Sequence, residues 1–161
     1  MKKLGKSSKK GFTLVELIVV LVILAVLAAM LVPALVGYID KAKAEKEYQT
    51  ASTVYAAAQA VITEAYGKND IKTVTGTAAT ITATGFTGCL NNGMTADSAK
   101  NKAYGAEVCD LAGVTYDATN GPVKGFSFNV GEDYVISGGT VNIGDSTYTL
   151  TITNGTPSWS A

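Results

Sequence analysis

The chain has 161 residues, and its 13 lysines balance 13 acidic residues, so the formal net charge is zero. It contains no histidine and no arginine. A basic groove for nucleic acid is therefore not expected, and the usual residue for acid–base catalysis is missing. The chain also lacks a glycine-rich phosphate loop and a nucleophile elbow, so we predict that it is not an enzyme and binds no cofactor.

The charges in the N-terminal segment are distributed very unevenly along the chain. Five lysines precede Gly11 without any acid, and Glu16 is the only charged residue between Gly11 and Asp40. This asymmetry predicts that the basic end stays in the cytoplasm. The apolar run Leu17 to Val36 is long enough for a helix to cross roughly 30 Å of hydrocarbon and has no clear signal-peptidase site. We therefore expect it to be retained as a membrane helix.

The residues Lys10-Gly11-Phe12-Thr13-Leu14-Val15-Glu16 resemble the class III signal of type IV prepilins and of their relatives in type II secretion and DNA uptake. The resemblance implies that a prepilin peptidase removes residues 1–11 by cutting between Gly11 and Phe12. It further implies that Phe12 becomes N-methylated. Other implied partners are the assembly platform protein, minor pilins and further copies of this chain.

Glu16 is an acid in a segment where charge is costly, with a penalty of about 2.5 to 3.5 kcal/mol at the centre of a membrane helix. The resemblance implies a partner for it, the new amine of Phe12 in a neighbouring subunit. Such a buried pair would fix the register between apolar helices that otherwise slide over one another. The alternative is a glutamate that snorkels to the interface of a simple membrane anchor.

Pro33 lies inside the apolar run, where it removes a backbone donor and clashes with the carbonyl of Ala29. We predict a kink or a locally melted turn between these two residues. The resemblance associates such a proline with melting of the helix in the filament, and an ordinary membrane-helix kink is the alternative.

Residues 40–66 follow the apolar run with the pattern of an amphipathic helix, and Gly67 is a natural stop. Tyrosines at 48, 55 and 66 are predicted to be core residues. The predicted apolar stripe comprises Tyr48, Ala51, Tyr55, Ala58, Ile62 and Ala65.

Residues 67–122 are rich in threonine, alanine, glycine and asparagine and are predicted to be a variable loop region, in which Thr73 to Thr87 are loop or weak strand. Cys89 and Cys109 are the only cysteines. An even pair outside the cytoplasm predicts a disulfide, which would contribute roughly 3 kcal/mol on the chain-entropy model. Its position departs from the commonest Gram-negative pattern, in which the disulfide lies near the C-terminus.

Residues 123–153 alternate between apolar and polar residues and predict four antiparallel strands, at Val123 to Val130, Asp133 to Ser137, Thr140 to Ile143 and Thr147 to Thr153. Turns are predicted at Ser137-Gly138-Gly139 and at Gly144-Asp145-Ser146. The expected fold is α+β: a hydrophobic transmembrane and assembly helix over 12–39, and a head over 40–161 in which an amphipathic helix packs on an antiparallel sheet.

Removal of the five leader lysines leaves 8 lysines against 13 acids, a side-chain charge of −5. Secretion pseudopilins bind calcium in a C-terminal loop, so a calcium site near Glu132, Asp133 and Asp145 is an open alternative to solvated turn residues. Asn154-Gly155-Thr156 fits the N-glycosylation pattern.

Three functions are compatible with the sequence. The first is the structural subunit of a type IV pilus, made in the inner or cytoplasmic membrane and then assembled into a surface fibre for adhesion, twitching motility or biofilm formation. The second is a pseudopilin of type II secretion or competence. The third is a minor pilin or a membrane-anchored binding head.

Overall fold

A computed structural model describes residues 11–72, 79–91 and 93–161. These residues contain two helices and six strands, which confirms the predicted α+β layout. The chain divides into two compact units, one ending at Lys43 and the other spanning Ala44–Ala161. The elements are α1 (Leu14–Gly67), β1 (Ala79–Thr82), β2 (Gly85–Thr87), α2 (Ala99–Ala112), β3 (Val123–Val130), β4 (Ile136–Ile143), β5 (Ser146–Thr153) and β6 (Thr156–Ser160).

The C-terminal end of α1 is closed by a Schellman motif. The amide of Asn69 donates to the carbonyl of Tyr66 at 2.9 Å, and the amide of Asp70 donates to that of Ala65 at 3.0 Å. Asn69 takes the left-handed conformation this motif needs, with φ 59°. The helix therefore ends at Gly67, as predicted, but asparagine supplies the left-handed residue.

The six strands form one antiparallel sheet in the order β2-β1-β3-β4-β5-β6. Three of its hairpins connect consecutive strands of the C-terminal part, which is the meander that the alternating pattern predicts. Strand β3 has the predicted bounds, and Gly144-Asp145 forms the turn between β4 and β5.

The C-terminal part of α1 packs in the core of the second unit. Four of the six predicted stripe residues are fully buried, and Tyr55 is partly buried against the core. The other stripe residue, Tyr48, is 46% exposed, and Tyr66, also predicted in the core, is 54% exposed. Their prediction as core residues was wrong, because small and β-branched residues occupy the buried face. The fully buried residues of this helix are Ala51, Val54, Ala58, Val61, Ile62 and Ala65.

Three parts of the fold differ from the sequence prediction. The region 67–122 contains the hairpin β1–β2 and helix α2, so it is not simply a loop. Strand β4 runs through Gly138-Gly139 without a turn, and the predicted strand Asp133 to Ser137 is largely a turn. A sixth strand, β6, follows the predicted sheet. The part of the Thr73 to Thr87 prediction that covers 73–78 lies outside the described residues.

Helix α2 is bounded by two local signals. The side chain of Ser98 accepts a hydrogen bond from the amide of Asn101 at 3.2 Å, which caps the N-terminus. Gly113 closes the C-terminus in the left-handed conformation, with φ 64°. Buried Asn101 then fixes the helix to β2, because its side chain bonds both the amide and the carbonyl of Phe86.

Candidate assembly and processing site

The first turn of α1 contains a capping box formed by Thr13 and Glu16. The Thr13 hydroxyl accepts from the amide of Glu16 at 3.3 Å, while the Glu16 carboxylate accepts from the amide and the hydroxyl of Thr13, both at 2.8 Å. Each side chain thus satisfies a donor that the start of the helix would leave open. The pattern Thr-x-x-Glu signals this motif in the sequence, but the sequence analysis considered Glu16 only as a charge.

Gly11 and Phe12 precede this capped turn and belong to no helix or strand. Phe12 is 87% exposed, and among the described residues, its chain neighbour aside, no atom lies within 4 Å of where a Gly11 side chain would begin. Cleavage between the two residues and methylation of Phe12 stay predictions.

The apolar part of α1 is exposed along its length. Its most apolar window of 18 residues has a mean hydropathy of 3.2 and no buried residue. By length and composition this helix can cross a membrane. An apolar surface of this extent in water would aggregate, so lipid or other protein must cover it.

Pro33 lies within α1, and the helix continues through it in the single chain. The proline side chain leaves the carbonyl of Ala29 without its normal amide donor. Melting of this turn in a filament stays a prediction.

The structure does not support the predicted disulfide, because Cys89 and Cys109 are both free thiols. Both are buried in the core of the second unit, at 2% and 6% exposure. Burial raises the pKa of Cys89 to about 11, and burial together with Asp110 raises that of Cys109. The two residues therefore act as small apolar core residues. The disulfide was predicted from the even number of cysteines and from their compartment. Neither feature says whether the two residues have the geometry that a disulfide requires.

The residues considered for calcium are not gathered into one site. Glu132 and Asp133 lie in the turn before β4, whereas Asp145 lies in the turn after it. Asp133 accepts from the amide of Val135 at 3.2 Å, and Asp145 accepts from Lys124 at 3.1 Å. Among the residues that the structure describes, no three His, Cys, Asp or Glu residues could together hold a metal ion.

One buried polar cluster was missed by the sequence analysis. Asp70 follows α1 with only 1% exposure, and it accepts hydrogen bonds from Lys100 at 2.6 Å and from the Tyr104 hydroxyl at 2.5 Å. These partners lie on α2, so Asp70 connects the two helices. The bond from Lys100, followed by that from Tyr104, holds the pKa of Asp70 below its usual value despite burial. A lone aspartate in a polar segment gave no signal of this role.

Comparison with known proteins identifies the N-terminal segment. Residues 6–32 match the family described as the prokaryotic N-terminal methylation motif. The chain carries the class III signal peptide of type IV pilins. This match supports the type IV pilin-like and pseudopilin family and implies processing by a prepilin peptidase. The comparisons with curated proteins and with solved structures found no match.

Proposed function

We propose that this chain is the structural subunit of a type IV pilus, polymerised through α1 into a surface fibre for adhesion, twitching motility or biofilm formation. The methylation motif over residues 6–32 carries the proposal. The exposed apolar part of α1 supports it, because this surface needs a cover after the subunit leaves the membrane. The partners are the assembly platform, minor pilins and other copies of this chain.

The assembly step requires the Glu16 carboxylate to change its hydrogen-bonding partner. In the single chain its carboxylate caps its own helix through Thr13. Cleavage after Gly11 creates an amine on Phe12, and we propose that this amine in a neighbouring copy becomes the new partner. The pair neutralises two charges in an apolar environment and selects one register between neighbouring helices.

The role is structural and requires no cofactor. The mature side chains carry a net charge of −5 with no arginine, so nucleic acid is not a proposed partner. The precursor resides in the inner or cytoplasmic membrane, and the assembled fibre lies at the cell surface.

A pair of substitutions separates the charge of Glu16 from its capping role. Glu16→Gln keeps an acceptor for the capping box but removes the charge. We expect this variant to be processed and inserted in the membrane yet absent from fibres sheared off the cells. Thr13→Ala removes the hydroxyl cap but keeps the charge, and it should still enter fibres. Sheared fractions and membranes are compared by immunoblotting. Wild-type amounts of fibre from Glu16→Gln would refute the charge-pair account.

A further inference from the structure

The six-stranded sheet is open and therefore has two edges. In the described part of the chain, β2 lies at one end of the sheet and β6 at the other. An edge strand presents backbone amides and carbonyls that can pair with a strand of another molecule. Copies of this chain gathered in one membrane or one fibre would meet at high local concentration, so unprotected edges would let their sheets pair.

The backbone groups of Phe86, the middle residue of β2, point away from β1. Thr82 and Gly85 flank a two-residue turn and form the hydrogen-bonded closing pair of the β1–β2 hairpin. Hydrogen-bonded and non-hydrogen-bonded pairs alternate along an antiparallel ladder, so Phe86 belongs to a non-hydrogen-bonded pair. The amide and the carbonyl of Phe86 are therefore the groups that β2 presents to the outside of the sheet.

Asn101 of α2 occupies the place that a further strand would take beside Phe86. Its side-chain oxygen accepts from the amide of Phe86 at 2.8 Å, and its side-chain nitrogen donates to the carbonyl of Phe86 at 3.0 Å. These two bonds reproduce the pairing that a residue of a neighbouring strand would make. Asn101 is only 1% exposed, and a third bond, to the carbonyl of Ala96 at 3.1 Å, fixes the orientation of its side chain.

Two glycines allow α2 to lie directly against this edge. A Cβ at Gly85, where φ is 106°, would collide with the backbone carbonyl of Asn101. A Cβ at Gly105 would collide with the carbonyl of Ala83 in the β1–β2 turn. A side chain at either position would push α2 away from the hairpin. The edge of β2 is therefore covered by a helix as well as bonded by a side chain.

A proline lies on the edge formed by β6. Thr153 and Thr156 flank the two-residue turn Asn154-Gly155 and form the hydrogen-bonded closing pair of the β5–β6 hairpin. By the same alternation, the backbone groups of Pro157 and Trp159 point away from β5. Proline has no amide hydrogen, so Trp159 supplies the only outward amide within β6.

We infer that Asn101 and Pro157 close the two edges of the sheet to strand pairing with a second copy of this chain. Asn101 satisfies both outward groups of β2, and Pro157 removes one of the two donors that β6 would otherwise present. The sheet then contributes no strand-to-strand contact to any association of copies. This inference goes beyond the proposed polymerisation and does not rest on it, because it holds equally for a membrane-anchored head.

Amide hydrogen exchange of the full chain in maltoside micelles tests the state of both edges. The amide of Phe86 is bonded by a buried side chain, whereas the amide of Trp159 faces solvent. We expect the protection factor of Phe86 to exceed that of Trp159 at least 10-fold. Equal protection of the two amides would overturn the inference, because it would mean that β2 is open or that β6 is already paired.

Replacement of Pro157 tests the block on β6. Pro157→Val restores an outward amide at an exposed position, so two copies can pair antiparallel along β6 with two additional hydrogen bonds. We expect the association constant of the full chain in maltoside micelles to rise about 5- to 150-fold, measured by sedimentation velocity over a concentration series. Association no stronger than that of wild type would overturn the role of Pro157.

Two control variants separate the new donor from the new side chain. Thr156→Val adds the same side chain at the neighbouring residue, whose amide already bonds β5, and should associate like wild type. Pro157→Lys restores the donor but brings like charges together in the pair, so it should also stay at the wild-type level. Equal gains of association in Thr156→Val and Pro157→Val would assign the effect to apolar surface and contradict the edge block.

Discussion

Replacement of Asp70 by alanine should strongly destabilise the second unit. The substitution removes two hydrogen bonds to a buried carboxylate and leaves the hydroxyl of Tyr104, which is 3% exposed, without its acceptor. Lys100 is 57% exposed and regains water, so most of the loss comes from the buried partners. The buried charge leaves with the aspartate, so the loss is that of a buried hydroxyl left without its acceptor, about 1 to 3 kcal/mol.

The only tryptophan, Trp159, reports this unfolding. Its ring lies 6.4 Å from that of Tyr55 and 6.5 Å from that of Phe128, so its fluorescence follows the packing between α1 and the sheet. We expect urea unfolding of the full chain in detergent to show the loss. In thermal melts it should appear as a fall in Tm of about 4 to 12 °C.

Asp97→Ala is the matched control for this variant. Asp97 pairs with Lys102 at 3.6 Å but is 97% exposed, so its removal should change stability by less than about 1 kcal/mol. An Asp70→Ala variant as stable as Asp97→Ala would refute the view that the buried carboxylate connects the two helices.

The contribution of Asp70 to the stability of the second unit should depend on pH in a definite direction. Because the pKa of Asp70 is lowered in the folded state, its contribution is fully present above the unfolded value of about 3.9. It is lost as the pH falls through the folded pKa. Asp70→Asn should therefore be less stable than wild type at neutral pH and lose less stability on acidification.

Three more experiments test other parts of the account. Gly11→Leu should leave uncut precursor in the membrane, seen as an unshifted intact mass, whereas detection of the mature mass would argue against cleavage here. Alkylation of the unfolded protein without reductant should label both Cys89 and Cys109, and failure to label them would restore the disulfide. Gly139→Ala should cost about 1 to 3 kcal/mol, because its Cβ would lie 2.3 Å from the carbonyl oxygen of Ser127. Gly125→Ala, with its nearest contact at 3.7 Å, should cost less, and equal losses would contradict the clash.

Much of the C-terminal sheet was predictable, because the alternation of apolar and polar residues along a half-buried strand is a strong signal. The strand β6 was also signalled but missed. Asn154-Gly155 has φ 52° and 75° and forms a two-residue hairpin turn, for which Asn-Gly is the preferred sequence. The sequence analysis considered this segment only as a glycosylation motif. Helix α2 likewise had recognisable caps in Ser98 and Gly113.

Other features could not be predicted from local pattern. The predicted stripe lies mostly on the buried face of the helix, but the exposure of Tyr48 and Tyr66 depends on how far the rest of the second unit covers that face. The continuity of β4 through Gly138-Gly139 depends on close approach of β3. The burial of Asp70 depends on partners about 30 residues away in the chain. Each is decided by tertiary contacts that a linear sequence does not display.

The measurement that tests the central claim most directly is the N-terminal mass of protein sheared from cells that express this chain natively. The account predicts a chain that begins at N-methylated Phe12 in a sedimentable fibre fraction. A processed chain found only in membranes would contradict the pilus subunit and favour a pseudopilin or a minor pilin. An uncut N-terminus would contradict processing itself and leave a membrane-anchored head.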